Sequence, residues 1–433
     1  MRTLLLFRGA PGCGKSTFID THGLRPYALS ADDIRQTLRS PMQTADGSVQ
    51  ICQDNEKEVW ELLYRMLETR MQKGEFTVID ATNSKTSEMN KYKDLCGEYR
   101  YRMFCIDMTD LPIDECKRRN AGRIPLKRVP EDCIDKMYSR FRTQKIPSGI
   151  KVIKTESDFN SMLMHKLDMS SYEKIVVVGD LHGCHTALME YFNGGLNDNY
   201  FYIFVGDYID RGIENAEVIK FLLSIYEKKN VLLLEGNHER WIKAYSNDEV
   251  SRSKEFEFVT KKQLDAADIS KKDLRQLCRK LGQAAWFTYG DKEVVVTHGG
   301  IATMPENLTY MATTQMIHGV GDYNDSDIIA DTWLRTTADN MYQVHGHRNV
   351  KNVPMKVNDR VYNLEGKVEF GGFLRILELD KDGFHEVEIK NTMFKTPEAI
   401  AQSASLSDSS IADIVLKMRQ NKFIQEKSYG NIS

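Results

Sequence analysis

Two sets of residues in this 433-residue chain have the types and spacing that phosphate chemistry needs. The first is the run Gly9-Ala10-Pro11-Gly12-Cys13-Gly14-Lys15-Ser16-Thr17, which fits Gly-x-x-x-x-Gly-Lys-[Ser/Thr] after an apolar strand and before a helix. Glycines there let backbone N–H groups wrap the phosphates of a nucleotide, and the helix N-terminus adds partial positive charge. Lys15 is expected to pair with the β- and γ-phosphates and Ser16 to ligate Mg²⁺, so ATP with Mg²⁺ is the implied occupant. A phosphoryl transferase also needs a carboxylate to take the acceptor's proton, and Asp32, after the second strand, could point into such a site. One of Asp32 and Asp33 is also expected to cap the helix that follows.

The second set is five short segments, each after a strand. They are Gly179-Asp180-Leu181-His182-Gly183, Gly206-Asp207-Tyr208-Ile209-Asp210-Arg211-Gly212, Gly236-Asn237-His238-Glu239, Thr297-His298-Gly299-Gly300 and Val344-His345-Gly346-His347. Each strand end delivers one or two hard or borderline ligands, as a two-metal site requires. A lone histidine after a strand is more often a satisfied structural residue. Five ordered clusters point to divalent metal instead.

The elements that must position these residues are legible in outline. Leu4–Phe7, Phe76–Asp80 and Tyr101–Asp107 read as strands, and Lys15–Thr21, Asn55–Lys73, Ile113–Asn120 and Glu131–Arg142 as helices. That alternation predicts an α/β fold with a parallel sheet covered by helices. A polar stretch around Lys154–Asn160 precedes a restart of the pattern at Lys174–Val178, with strands at Phe201–Val205, Val231–Leu234, Val294–Thr297 and Gln343–His345. The expected domains are residues 1–155 and 172–392, followed by a helical or partly ordered tail over 393–433. Its amphipathic stretch Ile411–Met418 could serve assembly into a homo-oligomer or pack on its own domain.

Composition excludes collagen-like and disordered classes: 41% of residues are hydrophobic and 28% charged. No stretch approaches the ~20 apolar residues of a membrane helix. The eight cysteines form no Cys-x-x-Cys pair and read as reduced core thiols, which suggests a cytoplasmic protein. The net charge of -3 conceals an asymmetry: residues 1–155 hold 27 basic and 21 acidic side chains, leaving 32 and 41 for the remainder. Lys117–Lys145 alone has ten basic and three acidic residues, either a phosphate-binding lid or a solvated helix face. An arginine on such a lid, Arg123 for example, can bridge ATP phosphates.

Taken in order, the phosphate loop, Asp32-Asp33-Ile34-Arg35, Asp80-Ala81-Thr82-Asn83 and Arg119-Asn120-Ala121-Gly122-Arg123 resemble the 5′-hydroxyl polynucleotide kinase family over most of residues 1–150. The resemblance implies Asp32 as general base, Arg123 as the lid arginine, and Arg35 and Thr82 as contacts to the nucleic acid. The metal-ligand series in turn resembles the calcineurin-like binuclear metallophosphoesterases over about residues 172–390. By that resemblance Asp180 and His182 bind one metal, Asp207 bridges, and Asn237, His298 and His347 bind the second. Mn²⁺ is the expected ion, with Fe, Zn, Co or Ni as alternatives. His238, held by Asp210, would be the general acid and Arg211 the phosphate clamp. His345 occupies a position that is often not a ligand, and Arg335 is an even choice between a second clamp and a surface arginine. Glu365 stands where the bacterial kinase-phosphatases usually have an Asp-Thr-Gly aspartate, a departure expected to leave the metal site untouched.

A kinase and a phosphatase on one chain would run a futile cycle unless they act on different positions of one substrate. A broken RNA or DNA strand with a 5′-hydroxyl and a 3′-phosphate or 2′,3′-cyclic phosphate is such a substrate, with RNA repair the favoured setting. Basic residues would supply its sequence-independent phosphate contacts. No Lys-x-Asp-Gly nucleotidyl-transfer motif occurs, so a separate ligase is expected to act downstream. The alternative is a protein Ser/Thr phosphatase or dinucleoside polyphosphate hydrolase fused to a small-molecule kinase.

Overall fold

The computed structural model describes residues 2–45 and 47–394, which fall into two compact units. The tail expected after residue 393, including Ile411–Met418, lies outside the described residues but for its first two positions.

The first unit is a five-stranded, wholly parallel sheet in the order Ala28–Ser30, Thr77–Asp80, Thr3–Arg8, Arg102–Asp107, Lys151–Ile153. The central strand alternates its burial between two cores, because successive side chains point to opposite faces. Leu4 and Leu6 pack with Val59, Leu63, Leu67 and Met71 of helix Glu56–Lys73 and with Met89 and Tyr92 of helix Thr86–Tyr99. Leu5 and Phe7 pack on the other face with Ile19, Phe159 and Met162. The chain leaves the central strand to one side and later returns to the other. That switch opens a crevice at the carboxyl ends of the strands, where the phosphate loop sits.

One part of this unit comes from far along the chain. Pro305–Thr314 belongs to it, and nothing in its sequence marks it as such. Tyr310 stacks on Tyr27 with ring centroids 5.3 Å apart and meets Phe76 edge-on at 5.1 Å. Thr313 donates its backbone N–H to Gly74 O at 3.0 Å.

The second unit packs two sheets face to face. One has the order Val231–Leu233, Tyr200–Phe204, Lys174–Val178, Phe373–Asp380, Gly383–Lys390. The other runs Lys356–Asn358, Val361–Asn363, Met341–His345, Lys292–Thr297, Ala284–Tyr289, Leu167–Asp168. Ile175, Val177, Ile203 and Leu377 of the first sheet interdigitate with Phe287, Val294, Val296 and Val344 of the second. Helices Asn215–Ile225 and Lys271–Lys280 cover the outer face of the first sheet, with Leu222, Leu274 and Leu277 in its core. Three strands in each sheet run parallel, so six carboxyl ends open at one edge of the sandwich. Among the described residues no helix is long and apolar enough to cross a membrane.

Gly74 ends helix Glu56–Lys73 in the left-handed region at φ 68°, and a Cβ there would lie 1.8 Å from Thr313 Oγ1. Gly74→Ala is therefore expected to destabilise the first unit by about 1–2 kcal/mol from backbone strain, with the steric clash in addition. A fall in the urea-unfolding midpoint of the full chain checks this.

Candidate functional site

In the first unit the phosphate loop links strand Thr3–Arg8 to helix Lys15–Thr21. Lys15 Nζ donates to Gly9 O at 2.9 Å and Ala10 O at 3.0 Å, so the loop's own carbonyls hold the ammonium. Ser16 and Thr17 are exposed at the helix start, while Pro11 and Cys13 are buried. The neighbouring motif is laced to this loop: Thr82 O accepts from Gly9 N at 3.2 Å, and Asn83 Nδ2 donates to Phe7 O at 2.7 Å. Ser30 pairs in register with Asp80, which brings Asp32 to the same sheet edge. Burial raises the Asp80 pKa against the opposing pull of Lys15 and Arg25.

Helix Ala31–Leu38 is capped by Ser30, whose side chain accepts from Asp33 N at 3.3 Å. The expected aspartate cap is thus corrected: Ser30 has the extended backbone of an N-cap, and both aspartates lie inside the first turn. That leaves Asp32 available. Its Oδ1 accepts from Arg35 Nη1 at 2.7 Å, with the carboxylate half exposed. Arg35 is also gripped bidentately by Glu56, at 2.6 Å through Nε and 2.8 Å through Nη2. Burial works against its charge, but Glu56 and Asp32 outweigh it and hold the guanidinium pKa above its ordinary value.

Asn120 closes the basic loop by exchanging two hydrogen bonds with the backbone of Val129, at 2.7 and 3.1 Å. Arg123 lies half-buried in that loop, its carbonyl accepting from Arg128 Nε. Arg119 comes to the phosphate loop: a Cβ on Gly14 would lie 3.8 Å from its Nη1. Part of the basic run is neutralised at home, Arg118 and Arg119 by Glu115, Lys117 by Asp135 and Lys136 by Asp132. Lys127, Arg128, Arg140, Arg142 and Lys145 are exposed, and no ion pair to them is formed among the described residues.

In the second unit, loops at the carboxyl ends of both sheets bring the metal-ligand series together. His182, Asp207 and His238 converge, as do Asp207, His298 and His347, with Asp207 common to both groups. Asp207 lies 3.5 Å from His182 Nε2 and 3.3 Å from His298 Nε2. Nδ1 of His182 bonds Ile209 O and Nδ1 of His298 bonds Val205 O, each at 3.1 Å, which turns both Nε2 atoms inward. Asn237 reaches His298 Nε2 at 3.2 Å. With its amide nitrogen turned inward it also reaches His347 Nδ1 at 2.9 Å and Asp207 Oδ2 at 3.1 Å. The opposite rotamer offers a carbonyl oxygen at the same place.

The donor set fits divalent cations. Asp180 Oδ1 and Glu365 Oε2 are buried acceptors with no hydrogen-bond partner, and Asp180, His182 and Glu365 form a third convergent group. Burial and Glu365 raise the Asp180 pKa, whereas the histidines around Asp207, His298 first, outweigh its burial and lower that carboxyl's pKa. Burial, with Arg211 nearby, pushes the His182 pKa down to about 3, leaving a neutral imidazole for coordination. Gly346 is required by the approach of Asp180, since a Cβ on it would stand 2.0 Å from Asp180 Oδ1.

His238 Nδ1 is 2.6 Å from Asp210 Oδ2, and Thr260 donates to the other Asp210 oxygen. Asn215 Oδ1 accepts the Asp210 N–H at 2.7 Å. Arg211 reaches both imidazoles, at 3.0 Å from His182 Nε2 and 3.4 Å from His238 Nε2. Five of these residues have left-handed backbones: His182, Asp207, Asp210, Arg211 and His347 lie at φ 39°, 50°, 72°, 68° and 68°. Such strain costs roughly 1–3 kcal/mol per residue and persists only where the surroundings over-determine it. Here they do. Glu239, buried at the start of helix Glu239–Ser246, accepts from Gly236 N, Asp207 N and Tyr208 N at 2.7–3.1 Å.

One sequence reading changes in this unit, and one open choice narrows. Glu365 does not leave the metal site untouched, because its carboxylate stands among the ligands. Arg335 is exposed and bonds Asp331 O and Thr332 Oγ1 of its own helix, which makes it a surface arginine. His345 is buried beside Gly346 O and outside the convergent groups. Glu239 and Glu365 sat within segments already singled out. Thr260, Asn215 and Glu369 lie outside every motif and carried no local signal.

Comparison with known proteins agrees with the two units. Residues 4–143 match the AAA domain family, and residues 173–380 match the calcineurin-like phosphoesterases. The chain is 25% identical over 238 residues, 51% of its length, to an asymmetrical bis(5′-nucleosyl)-tetraphosphatase of Halalkalibacterium halodurans, covering 94% of that protein. The corresponding Bacillus subtilis protein is 28% identical over 46% of this chain and 87% of its own length. A PP2A-like serine/threonine-protein phosphatase of Candida albicans is 31% identical over 31% of this chain, but only 29% of that protein is covered.

Asp207→Ala removes the carboxylate shared by two ligand groups. The variant is expected to bind divalent cations at least tenfold more weakly than the unaltered chain, read by elemental analysis after dialysis.

Proposed function

We propose that this chain, an AAA-type phosphate-loop domain followed by a calcineurin-like phosphoesterase domain, heals broken nucleic-acid strands. The first domain would transfer the γ-phosphate of ATP to a 5′-hydroxyl end, and the second would remove a 3′-phosphate or open and clear a 2′,3′-cyclic phosphate. A separate ligase would then seal the strand. The observation that carries this reading is the Asp32–Arg35 pair, 2.7 Å apart, beside Asp80, whose carboxyl feels the charges of both Asp32 and Lys15. A terminal nucleotide offers a hydroxyl and, one linkage away, a phosphate. Asp32 suits the hydroxyl proton and Arg35 the phosphate. Thr82 stands in the loop that contacts Gly9, and Arg123 and the exposed cations of the basic loop suit the remaining backbone charge.

In the phosphoesterase domain, Asp180, His182, Asp207, Asn237, His298 and His347 would hold two cations, with Glu365 beside them. Cations so held supply Lewis acidity toward a phosphate ester and a water nucleophile. Arg211 would take the non-bridging phosphate oxygens in its planar fork. His238 would protonate the leaving alkoxide from Nε2, its Nδ1 fixed by Asp210 and Asp210 fixed in turn by Thr260 and Asn215. In the first domain Ser16 would share a Mg²⁺ with ATP, and Lys15 would leave the Gly9 and Ala10 carbonyls for phosphate oxygens.

A second reading follows from the names of the relatives, a dinucleoside polyphosphate hydrolase joined to a small-molecule kinase. One substrate panel separates the two. With ATP, a 5′-hydroxyl oligonucleotide is expected to gain a phosphate, and Lys15→Ala or Asp32→Ala to lower that rate about 100-fold or more. Phosphate release from a 3′-phosphate oligonucleotide is expected to persist in those variants and to fall at least 100-fold in Asp180→Ala and His238→Ala. Efficient cleavage of diadenosine tetraphosphate, with no action on either oligonucleotide, would reject strand healing.

A further inference from the structure

Glu369 lies in the short turn Val368–Phe370, away from all five ligand segments, and its side chain is only 1% exposed. Its Oε1 accepts from Arg211 Nη1 at 2.7 Å and lies 3.9 Å from His182 Nε2, while Oε2 is buried without a hydrogen-bond partner. A carboxylate so placed is expensive, because one oxygen has given up water and received nothing in return. It is also poorly placed to meet an anionic substrate itself. What it does contact is the guanidinium of Arg211, which touches both His182 and His238.

Arg211 Nη1 is shared between two acceptors: the Glu369 carboxylate and the Nε2 lone pair of His182. The second is the nitrogen that faces Asp207 and would serve a cation, since Nδ1 is bonded to Ile209 O. The same lone pair cannot serve both. Once His182 is engaged elsewhere, Glu369 is the partner that still fixes this end of the guanidinium. Without it, the guanidinium would lose the carboxylate on Nη1 and be held only from its other sides, where Glu255 adds opposite charge and His238 Nε2 lies at 3.4 Å.

We propose that Glu369 is a positioning residue that holds the Arg211 guanidinium at the rim of the ligand cluster, turned to receive the phosphate oxygens of the substrate. This deepens, and rests on, the phosphoesterase reading above. Glu369 stands behind Arg211 and touches no substrate. Its loss acts through phosphate binding, not through the cations or the general acid.

The test measures inorganic phosphate binding to the Mn²⁺-loaded full chain by calorimetry, alongside kcat and KM for p-nitrophenyl phosphate and bound metal by elemental analysis. Glu369→Ala is expected to weaken phosphate binding about tenfold and raise KM similarly, the scale of one charge-assisted hydrogen bond, with metal content unchanged. Glu369→Gln, which keeps an acceptor oxygen, is expected to recover to within about threefold. In an Arg211→Ala background, Glu369→Ala is expected to change nothing further. Unaltered phosphate affinity in Glu369→Ala, a further tenfold loss on top of Arg211→Ala, or parallel loss of bound metal each overturns the proposal. If Glu369→Ala folds poorly, Glu369→Asp decides: a carboxylate shortened by one methylene that binds phosphate as tightly as the wild type overturns it equally. Absence of p-nitrophenyl phosphate turnover in the wild type counts against the phosphoesterase reading alone, because phosphate binding is read without turnover.

Discussion

The second unit is organised around keeping one carboxylate charged out of reach of water. Asp207 is almost fully buried at the meeting point of loops from both sheets, with His182, His238 and His298 within 4.0 Å of it. A buried charge is tolerable only if every neighbour is arranged for it. The backbone pays part of that cost in left-handed conformations at five site residues. Glu239 then locks the arrangement by gathering three backbone N–H groups from two of the converging loops. The helix that begins at Glu239 is thus tied to Asp207 as well as to His238. A disturbance of this corner would reach both side chains together.

The two units solve the same problem with similar means. Each places its chemistry where parallel strands end, because loops there converge while the sheet behind them stays rigid. In the first unit the loops are laced by backbone and amide bonds, Gly9 to Thr82 and Asn83 to Phe7. In the second the side chains themselves converge on one another. The difference shows in exposure: Ser16, Thr17 and Asp32 are open to solvent, whereas Asp180, His182 and His298 are not.

Charge is the property for which composition misleads most. A chain with a net charge of -3 still presents Lys127, Arg128, Arg140, Arg142 and Lys145 to solvent from one basic stretch. Four of that stretch's ten cations are nevertheless paired locally, Arg118 and Arg119 with Glu115 alone. Counting residues could not separate the two groups, because i,i+3 and i,i+4 pairing depends on helix phase.

Local features were decided by the sequence alone. The strands, the phosphate loop with its helix Lys15–Thr21, and the five ligand segments are all written in contiguous residues, where type, spacing and turn chemistry act over a few positions. What tertiary structure decided is everything that joins distant positions. It chose Ser30 over the aspartates as the cap, placed Glu365 among the ligands, set Thr260 on Asp210 and Glu369 on Arg211, and drew Pro305–Thr314 into the first unit. A carboxylate at position 369 reads the same whether it faces water or a buried guanidinium. Only the fold, by removing the water, gives it a partner and a cost.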